Sequence, residues 1–560
     1  MSMPVHQETV YRFFFWEFFI LLLLLLFIPT SVIRPSGSGN VTSLRPRGDE
    51  GKSGRHADAT AEQAQKFGFT DTTKTKETYT GPKFHEKTEA LLRQVENDVY
   101  YTREFVLAQF RRLQHQLASD AAREDFAHVI KDVKHYFGVT QYDLWRLRNE
   151  SGLHAWQKNE VEELSNLIQN RIYALQHPAD CESAKKIVCN LPAWPEGRGI
   201  GSHLHHISYC FLASYGTQRT LIINEKPTNM DFSTGTYFLP LSENCTYNNM
   251  STAWPGKQDS LAIQFPDNDK PKPRPNYFPR SVPRDFAQRL TSAHGDPFAW
   301  WMGQFFKYAL RMTQGFQDYV EKLGARLGYE SPIVGVQVRR TDKLRHDSRF
   351  IKLEEYMEVV DDFFDDLEIR GTKVTTRRIY LATDDPKVLQ EAKAKFPNYA
   401  FVFNEESVAT ASLRRRSSKA NMRNLMADIY FLSRSDFLVC GMSSNICRLA
   451  YELMQTLHSD ASWKLFSMDL HYCFHYQSAH EVVARYPHSP RSGSEIELRK
   501  GDRVMKSQYH YNKQRNYHDG FSHGVNQRTK RAGLYPTYKT VDVLKLADTP
   551  PFDRMDNREE

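Results

Sequence analysis

Apolar positions along the chain change their spacing several times, and each change predicts a different kind of structure. From Phe13 to Ile33 they run almost continuously, unbroken from Leu21 to Leu26 and interrupted by Glu17 and Pro29. About twenty such residues match the hydrocarbon thickness of a bilayer. A signal anchor over 13–33 behind a short tail of residues 1–12 is expected. A cleaved signal peptide competes, but no small-residue cleavage pattern closes the run. From 34 to 82 the periodicity vanishes and Ser, Gly, Thr, Lys and Asp dominate, as in a flexible stem.

A helical period then sets in over residues 83–178. Leu92, Val95, Val99, Val106, Phe110, Leu113 and Leu117 recur largely at three- and four-residue steps, as do Val161, Leu164, Ile168, Ile172 and Leu175. The spacing predicts long amphipathic helices. Their apolar faces fit either packing on the rest of the chain or a coiled-coil-like contact with a second copy.

From Cys181 to about 470 the pattern is that of an α/β unit. Ile333-Val-Gly-Val-Gln-Val338 reads as a strand covered on both faces, ending abruptly in Arg339, Arg340, Thr341, Asp342 and Lys343. Arg378 to Thr383 reads as a second strand, ending in Asp384 and Asp385. Asp436 to Cys440 is a third, followed by Gly441-Met-Ser-Ser444 and a helix from Asn445. Open α/β sheets bind ligands at the carboxyl ends of their strands. An arginine fork there, beside a helix start rich in hydroxyls and free N–H groups, suits a diphosphate. Asp385 before Pro386 suits a helix cap, which leaves Asp384 free for chemistry. Glu196-Gly-Arg-Gly-Ile-Gly201 precedes another helix and is weaker evidence, because no strand clearly leads into it. Past Ser489, turn-punctuated short strands ending in Gly533-Leu-Tyr-Pro-Thr-Tyr538 predict a small barrel over 478–541, with 542–560 as a tail.

Composition adds limits. A formal charge of +7 over 560 residues, with no basic stripe interleaved with aromatics, gives no reason to expect a nucleic-acid partner. Sequons at Asn40, Asn149, Asn244 and Asn249 all follow the apolar run, as expected if that side faces a secretory lumen. Among seven cysteines, Cys181, Cys189, Cys210 and Cys245 cluster and Cys440 lies near Cys447. Their spacing fits no zinc motif. In an oxidising lumen they could pair, leaving Cys473 over.

Several stretches, in order, resemble the core α1,6-fucosyltransferases. They are Leu204-His-His, Tyr215-Gly-Thr-Gln-Arg-Thr-Leu, His294-Gly-Asp-Pro with Trp300-Trp301, Val338-Arg-Arg-Thr-Asp-Lys343, Glu354-Glu-Tyr-Met357, Tyr380-Leu-Ala-Thr-Asp-Asp-Pro386, Asp436-Phe-Leu-Val-Cys440, Ala450-Tyr-Glu-Leu-Met-Gln-Thr-Leu-His458 and Gly533-Leu-Tyr-Pro536. The resemblance implies a Rossmann-like, GT-B-like catalytic domain over 181–470 and an SH3-like domain over 478–541. It implies a Golgi type II membrane protein and inverting, metal-independent transfer of fucose from GDP-fucose to the innermost GlcNAc of an N-glycan, while the apolar faces of the helical segment are the reason to expect a homodimer joined through it. No cofactor beyond the donor is implied. Arg339 and Arg340 would hold the diphosphate, with Asp342 and Gln337 beside them. Phe232 and Asp428 would lie near the guanine. Tyr356, Ser443 and Ser444 would line the donor pocket, Asp384 and Asp385 would complete the site, and Asp347 and Lys343 would serve proton transfer. Implied disulfides are Cys181–Cys245, Cys189–Cys210 and Cys440–Cys447. This sequence departs from the family at Gln337, Phe232 and Asp347, where the family has His, Tyr and Glu. A lumenal glycan-binding protein of reduced activity is therefore the alternative reading.

Overall fold

A computed structural model describes residues 82–191, 199–225, 235–247, 249–266, 270–341, 344, 350–411, 419–474, 477–507 and 518–552. The expected anchor, the stem up to residue 81, Asn40, Phe232, Asp342, Lys343 and Asp347 lie outside these residues. No helix among the described residues is long and apolar enough to cross a membrane.

The helical segment opens with α1 (Pro82–Gln116) and α2 (Asp120–Glu150), which pack side by side as a hairpin. Ser119 caps α2 by accepting from the Ala122 amide at 3.1 Å. α3 (Leu153–Gln176) buries Leu164 and Ile168 completely. Besides packing on each other, α1 and α2 dock on the same chain. Phe105 meets Phe521 with ring centroids 6.2 Å apart, and a Cβ at Gly138 would stand 2.7 Å from Ile369 Cδ1.

Next come β1 (Lys186–Leu191), α4 (Ile200–Thr217), β2 (Thr220–Glu225), β3 (Thr252–Ala253) and β4 (Ala262–Gln264), whose strands form a parallel sheet in the order β2-β1-β4-β3. Thus β1 does lead toward the glycine-rich turn, contrary to the sequence expectation. Lys186 and Asn190 interrupt its apolar run and hide it. The Lys186 ammonium tolerates burial because it donates to the Ala184 carbonyl at 2.7 Å and also meets that of Cys181. α4 is buried along nearly its whole length, so it carries no polar stripe.

β5 (Ser281–Pro283), α5 (Arg284–Ala293), α6 (Pro297–Ala309) and α7 (Gln314–Leu327) follow. Trp300 and Trp301 of α6 lie in the largest core cluster. Then β6 (Ile333–Val338), α8 (Leu353–Ile369), β7 (Arg378–Thr383), α9 (Pro386–Lys395), β8 (Ala400–Val402), α10 (Glu405–Thr410), α11 (Lys419–Arg434), β9 (Phe437–Cys440), α12 (Asn445–Met454) and β10 (Leu465–Ser467) alternate. Their five strands form a second parallel sheet, ordered β10-β9-β6-β7-β8. All six residues of β6 are buried, as its unbroken apolar pattern predicts.

Finally β11 (His480–Ala484), β12 (Arg503–Lys506), β13 (Phe521–Asn526), β14 (Ala532–Pro536) and β15 (Thr540–Asp542) form a five-stranded antiparallel sheet, with a 3₁₀ turn at Thr537–Lys539. β16 (Lys545–Ala547) returns to pair with β5. The disulfides are Cys181–Cys245, Cys189–Cys210 and Cys440–Cys447, and Cys473 is a buried free thiol. Among the described residues, one grouping, Cys189, His206 and Cys210, has the spacing to approach a metal ion, but its two sulfurs are already joined to each other. Among the sequons, Asn249 is exposed, the Asn244 amide donates to the Pro178 carbonyl at 3.0 Å, and Asn149 lies in the last turn of α2.

Candidate functional site

Parallel pairing brings three polar strand ends to one edge. Val338 is in register with Thr383, and Gln337 with Cys440, so the segments after β6, β7 and β9 leave the sheet side by side. Neighbouring strands run about 4.8 Å apart, which places the two arginines between the Asp-Asp and Ser-Ser ends.

The aspartates divide their labour. Asp385 caps α9 by accepting from the Lys387 amide at 3.0 Å. Asp384 is not spare, however. Buried at the end of β7, it accepts from the Arg340 amide at 2.9 Å, the Thr341 amide at 3.4 Å and the Thr341 hydroxyl, and it pairs with Arg339 Nη1 at 3.3 Å. This carboxylate folds the segment after β6 around itself. The need for such a clasp is invisible in sequence, because its partners lie 43 to 45 positions away.

The two arginines differ as well. The Arg339 side chain is 31% exposed and held by Asp384 on one side. Arg340 is committed elsewhere. Its guanidinium pairs with Glu391, donates to the Ile351 carbonyl at 3.3 Å and lies 4.6 Å from the Phe350 ring centroid. Arg340 thereby ties the lead-in of α8, which carries buried Tyr356, to the end of β6.

At the third strand end, Ser443 donates from its amide at 3.2 Å and its hydroxyl at 2.5 Å to Asp469. A Cβ at Gly441 would stand 2.5 Å from Asp469 Oδ2, so only glycine lets the backbone pass this carboxylate. Asp469 went unnoticed in the sequence, where no motif surrounds it. Ser444 sits at the N-cap of α12 without a side-chain capping bond. The Arg448 guanidinium donates to the Met442 carbonyl at 2.6 Å and braces the turn that the Cys440–Cys447 disulfide closes. Close by, a Cβ at Gly201 would approach Asn445 Cβ to 2.9 Å. The first turns of α4 and α12 are therefore in contact. Two helix N-termini, each positive by its backbone dipole, meet at the same edge, which suits an anion.

Two further residues lie behind that edge. Asp428, buried on α11, accepts from the Tyr380 hydroxyl at 2.6 Å and from Ser407. Burial pushes its carboxyl up to about 6, against the opposing hydrogen bonds from Ser407 and Tyr380. Gln337 is buried near the end of β6 with its Oε1 receiving no donor.

A family model described as alpha-(1,6)-fucosyltransferase N- and catalytic domains matches residues 41–473. An alpha-(1,6)-fucosyltransferase of Drosophila melanogaster is 40% identical over 420 residues, covering 73% of this chain and 65% of that protein. One of Caenorhabditis elegans is 34% identical over 388 residues, covering 68% of this chain and 67% of that protein. The matched part thus spans about two thirds of the length of these relatives. Fucosyltransferase NodZ from Bradyrhizobium aligns over 48% of this chain and 92% of its own at 12% identity, with a TM-score of 0.30. The family match and the relatives show that the chain belongs to the alpha-(1,6)-fucosyltransferase family.

Proposed function

We propose that this protein transfers L-fucose from GDP-β-L-fucose to the 6-hydroxyl of the innermost, Asn-linked GlcNAc of N-glycans, inverting the anomeric centre without a metal. The observation that carries this reading is the Asp384 clasp, which holds a partly exposed Arg339 at an edge shared with two helix N-termini. A bidentate guanidinium aligned in advance stabilises the charge that develops on departing GDP. The carboxylates of Asp384 and Asp385 face protein N–H and O–H donors, an arrangement that favours anchoring over cation binding.

In this mechanism Arg339 meets the diphosphate. Arg340 fixes the connection to α8 and so the placement of Tyr356. Asp347, with Lys343 close in sequence, takes the proton of the acceptor hydroxyl as the bond to fucose forms. Ser443, Ser444 and the first turn of α12 line the donor pocket, and Gln337 and Asp428 lie toward the guanine. We further propose a single-pass type II Golgi protein with its catalytic part in the lumen, dimeric through the helical segment. The C-terminal antiparallel sheet is read as an SH3-like domain.

The test is to incubate the full chain in detergent with GDP-fucose, an agalacto N-glycopeptide and EDTA, then weigh the product and fragment it. A single added deoxyhexose on the innermost GlcNAc is expected. No addition, or addition only after manganese is restored, overturns the proposal.

A further inference from the structure

A second opening runs along the edge strand β10 of the central sheet and reaches Ser467 and Met468 at its carboxyl end. Its volume is about 1830 Å³, and its lining includes Pro332, Asp436 and Phe437, which precede β6 and form the start of β9. Arg339, Asp384, Ser443 and Ser444 do not line it. It stops short of those four residues, although Met468 and Leu470, which flank Asp469, line it. Its other walls come from α1, α2 and the antiparallel sheet.

In one part of this opening, hydrogen-bond donors outnumber acceptors. Antiparallel pairing sets His480 opposite Lys506, with Asp542 on the neighbouring strand. One oxygen of Asp542 accepts from Arg280 Nη2 at 2.9 Å, and the other stands 2.9 Å from His480 Nε2, which makes no hydrogen bond. Asp296 is spent on the Ala299 amide at 3.1 Å and the Tyr451 hydroxyl at 3.2 Å. Glu104 pairs with Arg103. Lys506 makes no direct hydrogen bond or ion pair through its ammonium among the described residues, and the carboxylate whose charge acts on it, Asp542, is already paired with Arg280. Arg280, only 6% exposed, has a buried Nε with no acceptor. The phenols of Tyr100 and Tyr101 line the same space, also without an acceptor among the described residues. Burial pushes the Tyr101 phenol up, so it remains a proton donor. A shielded ammonium beside a guanidinium, with no carboxylate to itself, is costly unless an anion joins it.

We propose that Lys506, Arg280 and Tyr101 form an oxyanion-binding site, accepting a phosphate or carboxylate group carried by a small molecule. The ammonium supplies a point charge, the guanidinium edge supplies directional donors, and the phenol completes the shell. Nothing in this assignment depends on the reaction at the donor edge.

Calorimetric titration of the full chain in detergent, saturated with GDP to block the donor edge, tests it. One arm uses inorganic phosphate and the other N-acetylneuraminate, so that a phosphorylated ligand is told apart from a carboxylated sugar. Saturable binding of at least one is expected, weakened tenfold or more by Lys506→Met, retained in Lys506→Arg, and weakened by Tyr101→Phe. GDP affinity of each variant should equal that of the wild type, which also reports that it folds. Absence of saturable binding in both arms, or equal binding by Lys506→Met and the wild type, overturns the proposal.

Discussion

The carboxyl edge of the β6–β7–β9 sheet and the opening along β10 are built by opposite means. At the carboxyl end, charged groups come from short runs adjoining their strands, and nearly every carboxylate is matched. Asp384 holds the chain after β6, Asp385 caps α9 and Asp469 holds Ser443. Around the opening beside β10, the charges come from segments far apart in sequence, and Arg280 keeps an unused donor there with Lys506 close to it. A matched end is preorganised, which suits electrostatic catalysis. An opening with a donor left over suits binding.

The largest expected effect comes from the carboxyl end. Asp347→Asn should lower turnover by roughly 10²–10⁴-fold, the range of general-base catalysis, with GDP affinity nearly unchanged, and Asp347→Glu should be tolerated. Steady-state rates together with GDP titration decide it. Turnover left intact in the Asn variant would move the base elsewhere, with Asp384 first in line.

Arg339→Ala should cost about 3 kcal/mol of transition-state stabilisation, roughly a hundredfold in rate. Lys at this position should rescue only part, for it lacks the planar fork. Arg340→Ala should instead act mainly through donor KM, since its guanidinium is spent on Glu391 and Ile351. Equal losses in kcat for the two alanine variants would erase the distinction drawn between these neighbours.

At the opening along β10 the prediction concerns pH. Burial, the largest cause, and Arg93 push His294 down to about 4, while Asp460 opposes the shift. Between pH 4 and 6.5 the unfolded chain therefore binds a proton that the folded chain refuses. His294 disfavours the fold progressively as pH falls through this window, by at most about 3 kcal/mol, and imposes no such cost above it. Thermal midpoints measured across this range should fall with acid, less steeply in His294→Gln. An identical slope in both proteins would remove His294 as the cause.

The smallest effect separates structure from chemistry. Asp385→Ala should lower stability by about 1 kcal/mol through loss of the α9 cap, seen as a lower denaturation midpoint. Activity at a permissive temperature should change little. Lost activity at unchanged stability would mean that Asp385 touches substrate.

Legibility followed the distance in sequence between cooperating groups. The strand of residues 333–338, the cap at Asp385 and the serines before α12 could be read because an apolar run and its polar terminus are contiguous. β1 was hidden by Lys186, whose burial depends on carbonyls supplied by the turn before it. Which partners each arginine takes could not be read at all, for Arg340 is tied to Glu391, Ile351 and Phe350, delivered by other elements.

By itself, then, the sequence determined the periods of its helices and strands, the residue types at each strand end and the family resemblance, because these depend on local spacing and side-chain chemistry. Tertiary structure alone decided that Asp384 is a clasp, that Asp469 shapes the third strand end and that α4 and α12 meet at their first turns. It also placed Lys506, Arg280 and Tyr101 in one space. Each of these depends on how a carboxylate or cation is matched across a packed interface, and that matching is set by which elements pairing and packing bring together.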